Sequence, residues 1–127
     1  MISNFENDFA SFKLQEGILY VTYHRDVCID LKAATQVVKD RLSLHEGQSL
    51  PVLCDMRGVK EVNKAARAYL AVEGSILIKA VAFIVEPPVT EMLSLFYIRT
   101  SAPPIPNKPF KNLEEALVFL NPYTDNP

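Results

Sequence analysis

Tryptophan is absent from this chain, histidine and cysteine occur twice each, and glycine only four times in 127 residues. Each scarcity removes a class of chemistry. So few glycines leave no phosphate-cradling loop and no nucleophile elbow, both of which need closely spaced glycines for backbone approach. Cys28 and Cys54 stand too far apart for a Cys-x-x-Cys motif, and His24 and His45 join them in no metal-ligand spacing, so neither metal nor cofactor is expected. Neither sign of charge dominates, with 13 basic and 15 acidic residues and a net charge of -2. No global field would recruit nucleic acid. No apolar run approaches the ~18 residues of a membrane span. The start, MISNFENDF, has neither the basic nor the apolar part of a signal peptide, so a cytoplasmic protein with reduced cysteines is expected.

What is present is an apolar content of 49% with 22% charged residues, the balance of a chain that buries about two-thirds of its unfolded surface. One domain over residues 1–127 is expected, with frayed ends at 1–7 and 122–127. Its organising stretch is LPVLCDMRGVKEVNKAARAYLAVEG, residues 50–74. Val52, Leu53 and Cys54 form a continuous apolar run, the pattern of a strand covered on both faces. Asp55 ends it and Gly58 supplies turn chemistry. Asn63 then reads as an N-cap for a helix with Ala65, Ala66, Tyr69, Leu70 and Val72 on its inner stripe and Gly74 at its end. The intervening loop would sit at the carboxyl end of a buried strand, where open α/β sheets usually bind their ligands.

Around this unit, alternation over 9–14 and the β-branched, aromatic run ILYVTY, joined by Glu16-Gly17, predict an antiparallel hairpin. Asp30 caps a helix with Leu31, Ala34, Val37, Val38 and Leu42 inward, closed by Gly47. AVAFIV, residues 80–85, predicts a second buried strand beside 51–54. Pro87-Pro88 stops it and opens a helix with Val89, Met92, Leu93 and Phe96 on one side. The proline-rich segment 100–109 reads as a connection with part of it an extended edge. Asn112 and Glu115 form a capping box before a final helix bearing Leu113, Ala116, Leu117 and Leu120, ended by Asn121-Pro122. The fold class is therefore α/β: a mixed sheet with an N-terminal antiparallel hairpin followed by alternating helices and strands.

This order of elements, with the stretches PVLCDMRG, AVAFIVEPPVTEML and KPFKNLEEALVFL, resembles the STAS-like superfamily of anti-sigma-factor antagonists, including its small stand-alone bacterial members of unassigned function. The resemblance implies a cytoplasmic, non-enzymatic interaction module whose partner surface surrounds the loop after the Asp-terminated strand. Family antagonists carry an Asp-Ser-Ser-Gly-like motif there, with a phosphorylatable serine. This chain reads Asp55-Met56-Arg57-Gly58, keeping acid and glycine but not the hydroxyls.

The candidate site follows from that loop. Arg57, Lys60, Lys64 and Arg67 cluster along it and the first helical turns, where an anion or an acidic protein partner would bind; a solvated face offset by Glu61 and Glu73 is the blander alternative. Asp55 would orient a ligand or simply fix the loop. Glu86 and Thr90 lie at the exit of the neighbouring strand and would line the same rim. Phe83 and Phe96 are core aromatics that would instead line an apolar pocket if one face of the sheet is loosely covered. No catalytic residue is assigned, although a pairing of Ser49 or Cys54 with a histidine is decided in space rather than in sequence. His45, near a helix end, is expected to favour its charged form. Two functions follow: docking of a protein partner, a second copy included, through the rim, or carriage of a small apolar ligand.

Overall fold

Glu16 and Gly17 both adopt the left-handed region, with φ of 52° and 81°, which is the twist a two-residue hairpin turn requires. On either side, β2 (Ala10–Gln15) and β3 (Ile18–Tyr23) pair antiparallel with Gln15 opposite Ile18. These features belong to a computed structural model that describes residues 4–86 and 104–124.

The expected fraying of 1–7 is corrected over residues 4–7. β1 (Asn4–Glu6) adds antiparallel to β2, and the Asn7 side chain organises the turn between them by accepting from Phe9 N and Ala10 N at 2.7 and 2.9 Å. A three-residue strand exposed throughout carries no alternation to announce it.

β4 (Val27–Ile29) leads into α1 (Leu31–His45), whose first turn is closed by Asp30 Oδ1 accepting from Ala33 N at 2.8 Å. The buried side of α1 comprises Ala33, Ala34, Val37, Val38, Arg41, Leu44 and His45. That stripe is rotated from the expected one: Leu31 is 46% exposed and Leu42 only half-buried. β5 (Leu50–Asp55) then runs parallel to β3, and β7 (Ile78–Ile84) parallel to β5. β8 (Asn107–Phe110) closes the sheet parallel to β7. The six strands stand in the order β1-β2-β3-β5-β7-β8.

Between β5 and β7 lie β6 (Val59–Val62), α2 (Lys64–Val72) and a short 3-10 turn over Glu73–Ser75. β6 was not legible in the sequence; it pairs parallel with β4 in a separate two-stranded sheet. Asn63 caps α2 as expected, accepting from Ala66 N at 2.9 Å. The helix is lightly anchored, because only Ala66 and Ala71 are buried and Val72, expected inward, is 65% exposed.

Alternation along each strand divides the core. Val21, Val52, Cys54, Val81 and Phe83 face the side carrying α1 and α2, whereas Leu53, Ala80, Ala82 and Ile84 face the last helix, α3 (Leu113–Thr124). Two alanines at the centre of that second face let α3 approach closely enough to bury Ala116 and Leu120 completely. Glu115 N donates to Asn112 Oδ1 at 2.8 Å, the expected N-cap. Asn121-Pro122 does not end the helix, and residues 122–124 are not frayed: Pro122 lies in the final turn. The amide hydrogen it lacks would have gone to the carbonyl of Val118, a residue 71% exposed that water can satisfy. The helix expected after Pro88 lies outside the described residues.

Candidate functional site

Because β5 and β7 are parallel and keep one register from Val52 opposite Val81 to Asp55 opposite Ile84, both strands leave the sheet at the same end. Met56 N donates to Ile84 O and Val85 N to Phe110 O, each at 2.9 Å, which holds the three exits together. Asp55 is the pivot of the loop that follows. Its Oδ1 accepts from Arg57 N and Arg57 Nε, both at 3.0 Å, and its Oδ2 from Arg57 Nη2 at 2.7 Å. This two-point grip leaves the Asp55 side chain 14% exposed and that of Arg57 55% exposed. It also raises the Arg57 pKa, first through the hydrogen bonds to Asp55 and then through the charges of Asp55 and Glu86.

Gly58 is there for space. A Cβ on it would stand 2.5 Å from His24 O and 2.8 Å from Tyr23 O, because the loop crosses the β3–β4 connection, where Val27 N donates to Gly58 O at 3.2 Å. That crossing brings Thr22, Tyr23 and Arg25 beside Asp55, Arg57, Gly58 and Glu86 around an open cleft of about 330 Å³. Arg25 was missed in the sequence, since only the β3–β5 pairing places it here. Lys60, Lys64 and Arg67 do not line the cleft. Lys60 and Lys64 are exposed on β6 and α2, and Arg67 Nη1 donates to Val62 O at 2.9 Å. Thr90 lies outside the described residues.

Met56, which stands where the antagonists' motif has a hydroxyl, is buried. It turns away from the rim to line an apolar cavity of about 80 Å³ between the sheet and helices α1 and α2. Val52, Val81 and Phe83 form its floor, with Val37, Val38 and Leu70 above. Phe96, the other pocket residue read from the sequence, lies outside the described residues. Among the described residues the one cation on the wall is Arg41, whose signal in the sequence was its spacing: it falls three and four residues after Val38 and Val37, on the apolar stripe.

Arg41 Nη1 contacts His45 Nε2 at 2.7 Å, and His45 Nδ1 lies 2.9 Å from Gln48 O. Since guanidinium only donates, Nε2 accepts and Nδ1 carries the proton. The expectation that His45 favours its charged form is overturned. Burial lowers its pKa, and the Arg41 charge adds to that against the raising effect of the Gln48 carbonyl. Burial likewise pushes the Cys54 thiol up to about 12. His24 lies elsewhere, its Nε2 2.9 Å from Glu6 Oε2. Neither ring is hydrogen-bonded to Ser49 or Cys54 among the described residues, and there no group of three His, Cys, Asp or Glu side chains is placed to hold a metal. No helix among them is long and apolar enough to cross a membrane.

A family model described as a domain of unknown function (DUF7793) matches residues 12–124. Among solved structures, an uncharacterized protein of the DUF3478 family with a SpoIIAA-like fold, from Shewanella loihica PV-4, aligns with a TM-score of 0.64 at 17% identity. The alignment covers 94% of this chain and 98% of that one. The fold is therefore SpoIIAA-like, as the STAS-like resemblance implied. No curated protein matches the chain.

Proposed function

We propose that this chain, which belongs to the DUF7793 family, is a non-enzymatic, cytoplasmic STAS-like interaction module that docks a protein partner through the rim at the carboxyl ends of β5 and β7. The observation that carries the reading is the Asp55–Arg57 clasp. It fixes the loop without closing it, so a rigid charged edge faces solvent beside Arg25 and Glu86. Pre-ordering of this kind lowers the entropy lost when a partner binds. Arg25 and Arg57 on the rim, with Lys60 and Lys64 exposed on the elements that follow, suit an acidic protein surface, a second copy of this chain included. Control by phosphorylation does not belong to this loop, because a buried methionine and a clasped arginine fill the positions between Asp55 and Gly58.

The test is charge reversal outside the clasp. Arg25→Glu should slow partner association about tenfold or more at low salt and much less at high salt, as expected for a rim charge. An association rate unchanged by Arg25→Glu, or a salt dependence that is not reduced, would reject the rim. A second reading, carriage of a small apolar ligand, is favoured by the cavity over Phe83. Native mass spectrometry of freshly purified protein separates the two readings by whether a ligand accompanies the chain.

A further inference from the structure

Arg41 is 3% exposed, yet no carboxylate among the described residues is paired with it; the ion pairs there join His24 to Glu6 and Arg57 to Asp55. All its acceptors are neutral. Nη1 donates to Ile76 O at 3.1 Å and to His45 Nε2 at 2.7 Å, and Nη2 donates to Gly74 O at 3.2 Å. A guanidinium has five N–H donors. These bonds therefore leave Nε–H and one hydrogen on Nη2 without an acceptor among the described residues. Nε and Nη2 form the edge by which Arg57 grips Asp55 in this same molecule.

A cation removed from water without a counter-ion is costly. Burial draws the Arg41 pKa down to about 10, which still leaves it charged at neutral pH. The blander role, tying down the carbonyls at the end of α2, accounts for the two backbone bonds but not for the uncompensated charge or for the cavity beside it. Among the described residues, the lining of that cavity is apolar apart from Arg41 and polar edges such as Tyr23 and Ser75. Its volume of about 80 Å³ holds about five to eight water-sized bodies, at roughly 10–15 Å³ each. α2, with two buried residues, is the cover most easily displaced to admit a ligand.

We propose that this cavity binds a short-chain monocarboxylate, its carboxylate on the free edge of Arg41 and its alkyl chain against Val37, Val38, Val81 and Phe83. The assignment rests on the cavity reading above and adds to it the charge and size of the ligand. A monoanion with a planar, two-oxygen head matches a two-donor edge, and His45 holds that edge in place from the other side of the guanidinium.

The experiment compares butyrate with its neutral isostere butyramide on the wild-type chain, followed by ¹H–¹⁵N NMR including the Arg41 Nε–Hε signal and by ¹H–¹³C NMR of the methyl groups. Butyrate is expected to bind about ten- to a hundredfold more tightly, the range of a hydrogen bond to a charged group. It should shift the Arg41 Nε–Hε signal and the Val37 and Val38 methyls, and Arg41→Gln should abolish the preference. Equal affinities for the two probes would overturn the assignment of Arg41 while leaving the apolar cavity standing. Absence of binding by both probes up to about 10 mM would overturn both. Should Arg41→Gln fail to fold, the comparison of the two probes on the wild-type chain decides.

Discussion

Replacing Gly58 with alanine forces a Cβ to within 2.5 Å of His24 O, 2.8 Å of His24 C and 2.8 Å of Tyr23 O. All three are main-chain atoms, so no side chain can swing aside and the two crossing segments must separate. Overpacking of this kind costs about 1–3 kcal/mol, and separation also lengthens the Val27 N to Gly58 O bond, adding about 1 kcal/mol. The expected loss is about 2–4 kcal/mol. At about 4 °C per kcal/mol for a chain of this size, the melting temperature should fall by about 8–16 °C. Gly47→Ala is the control, because Gly47 has a φ of +80° but nothing within 4 Å of its added Cβ; it should lose only the ~1–2 kcal/mol of the left-handed backbone. Circular-dichroism melts and urea titrations with unchanged m-values measure both. A Gly58→Ala protein within about 0.5 kcal/mol of wild type, or one less affected than Gly47→Ala, would refute the crossing described here.

The depressed His45 pKa means that the native state binds fewer protons than the unfolded state between the folded pKa and 6.5. Stability should therefore fall as pH drops below about 6.5, and urea denaturation of His45→Asn beside wild type should show that component removed. Leu120 is fully buried between α3 and the sheet, so Leu120→Ala should cost about 2–5 kcal/mol by the same titration. Native protein should react with a thiol reagent quickly at exposed Cys28 and negligibly at Cys54, and both should react in denaturant. Fast labelling of two thiols in the native state would contradict the burial of β5.

The strand pair at the centre was readable because a segment covered on both faces must be apolar without interruption. Val52 and Cys54 face one layer and Leu53 the other, so no alternation survived to confuse the pattern. The common exit followed from parallel pairing. β6 stayed hidden because its two buried valines enclose the exposed pair Lys60 and Glu61, a three-residue spacing that reads as one helical turn and lacks the alternation of a strand. Its partner, β4, lies across a whole helix in the chain. The basic cluster was overdrawn for a related reason: Arg57, Lys60, Lys64 and Arg67 are close in sequence, but the β6 excursion carries the last three past the rim. Arg25, distant in sequence, arrives there through sheet pairing. Arg41 was hidden by its type, since a cation on an apolar stripe reads as the edge of the stripe until a cavity is found beside it.

The central claim is that the rim around Asp55 and Arg57 is the surface a partner covers. Its most direct test is a photo-crosslinking side chain placed in cells at position 25 on the rim, and separately at position 118 on the exposed side of α3. The account predicts a discrete protein adduct from position 25 that weakens when Arg57 is changed to glutamine, and none from position 118. Adduct formation from position 118 with none from position 25 would contradict it.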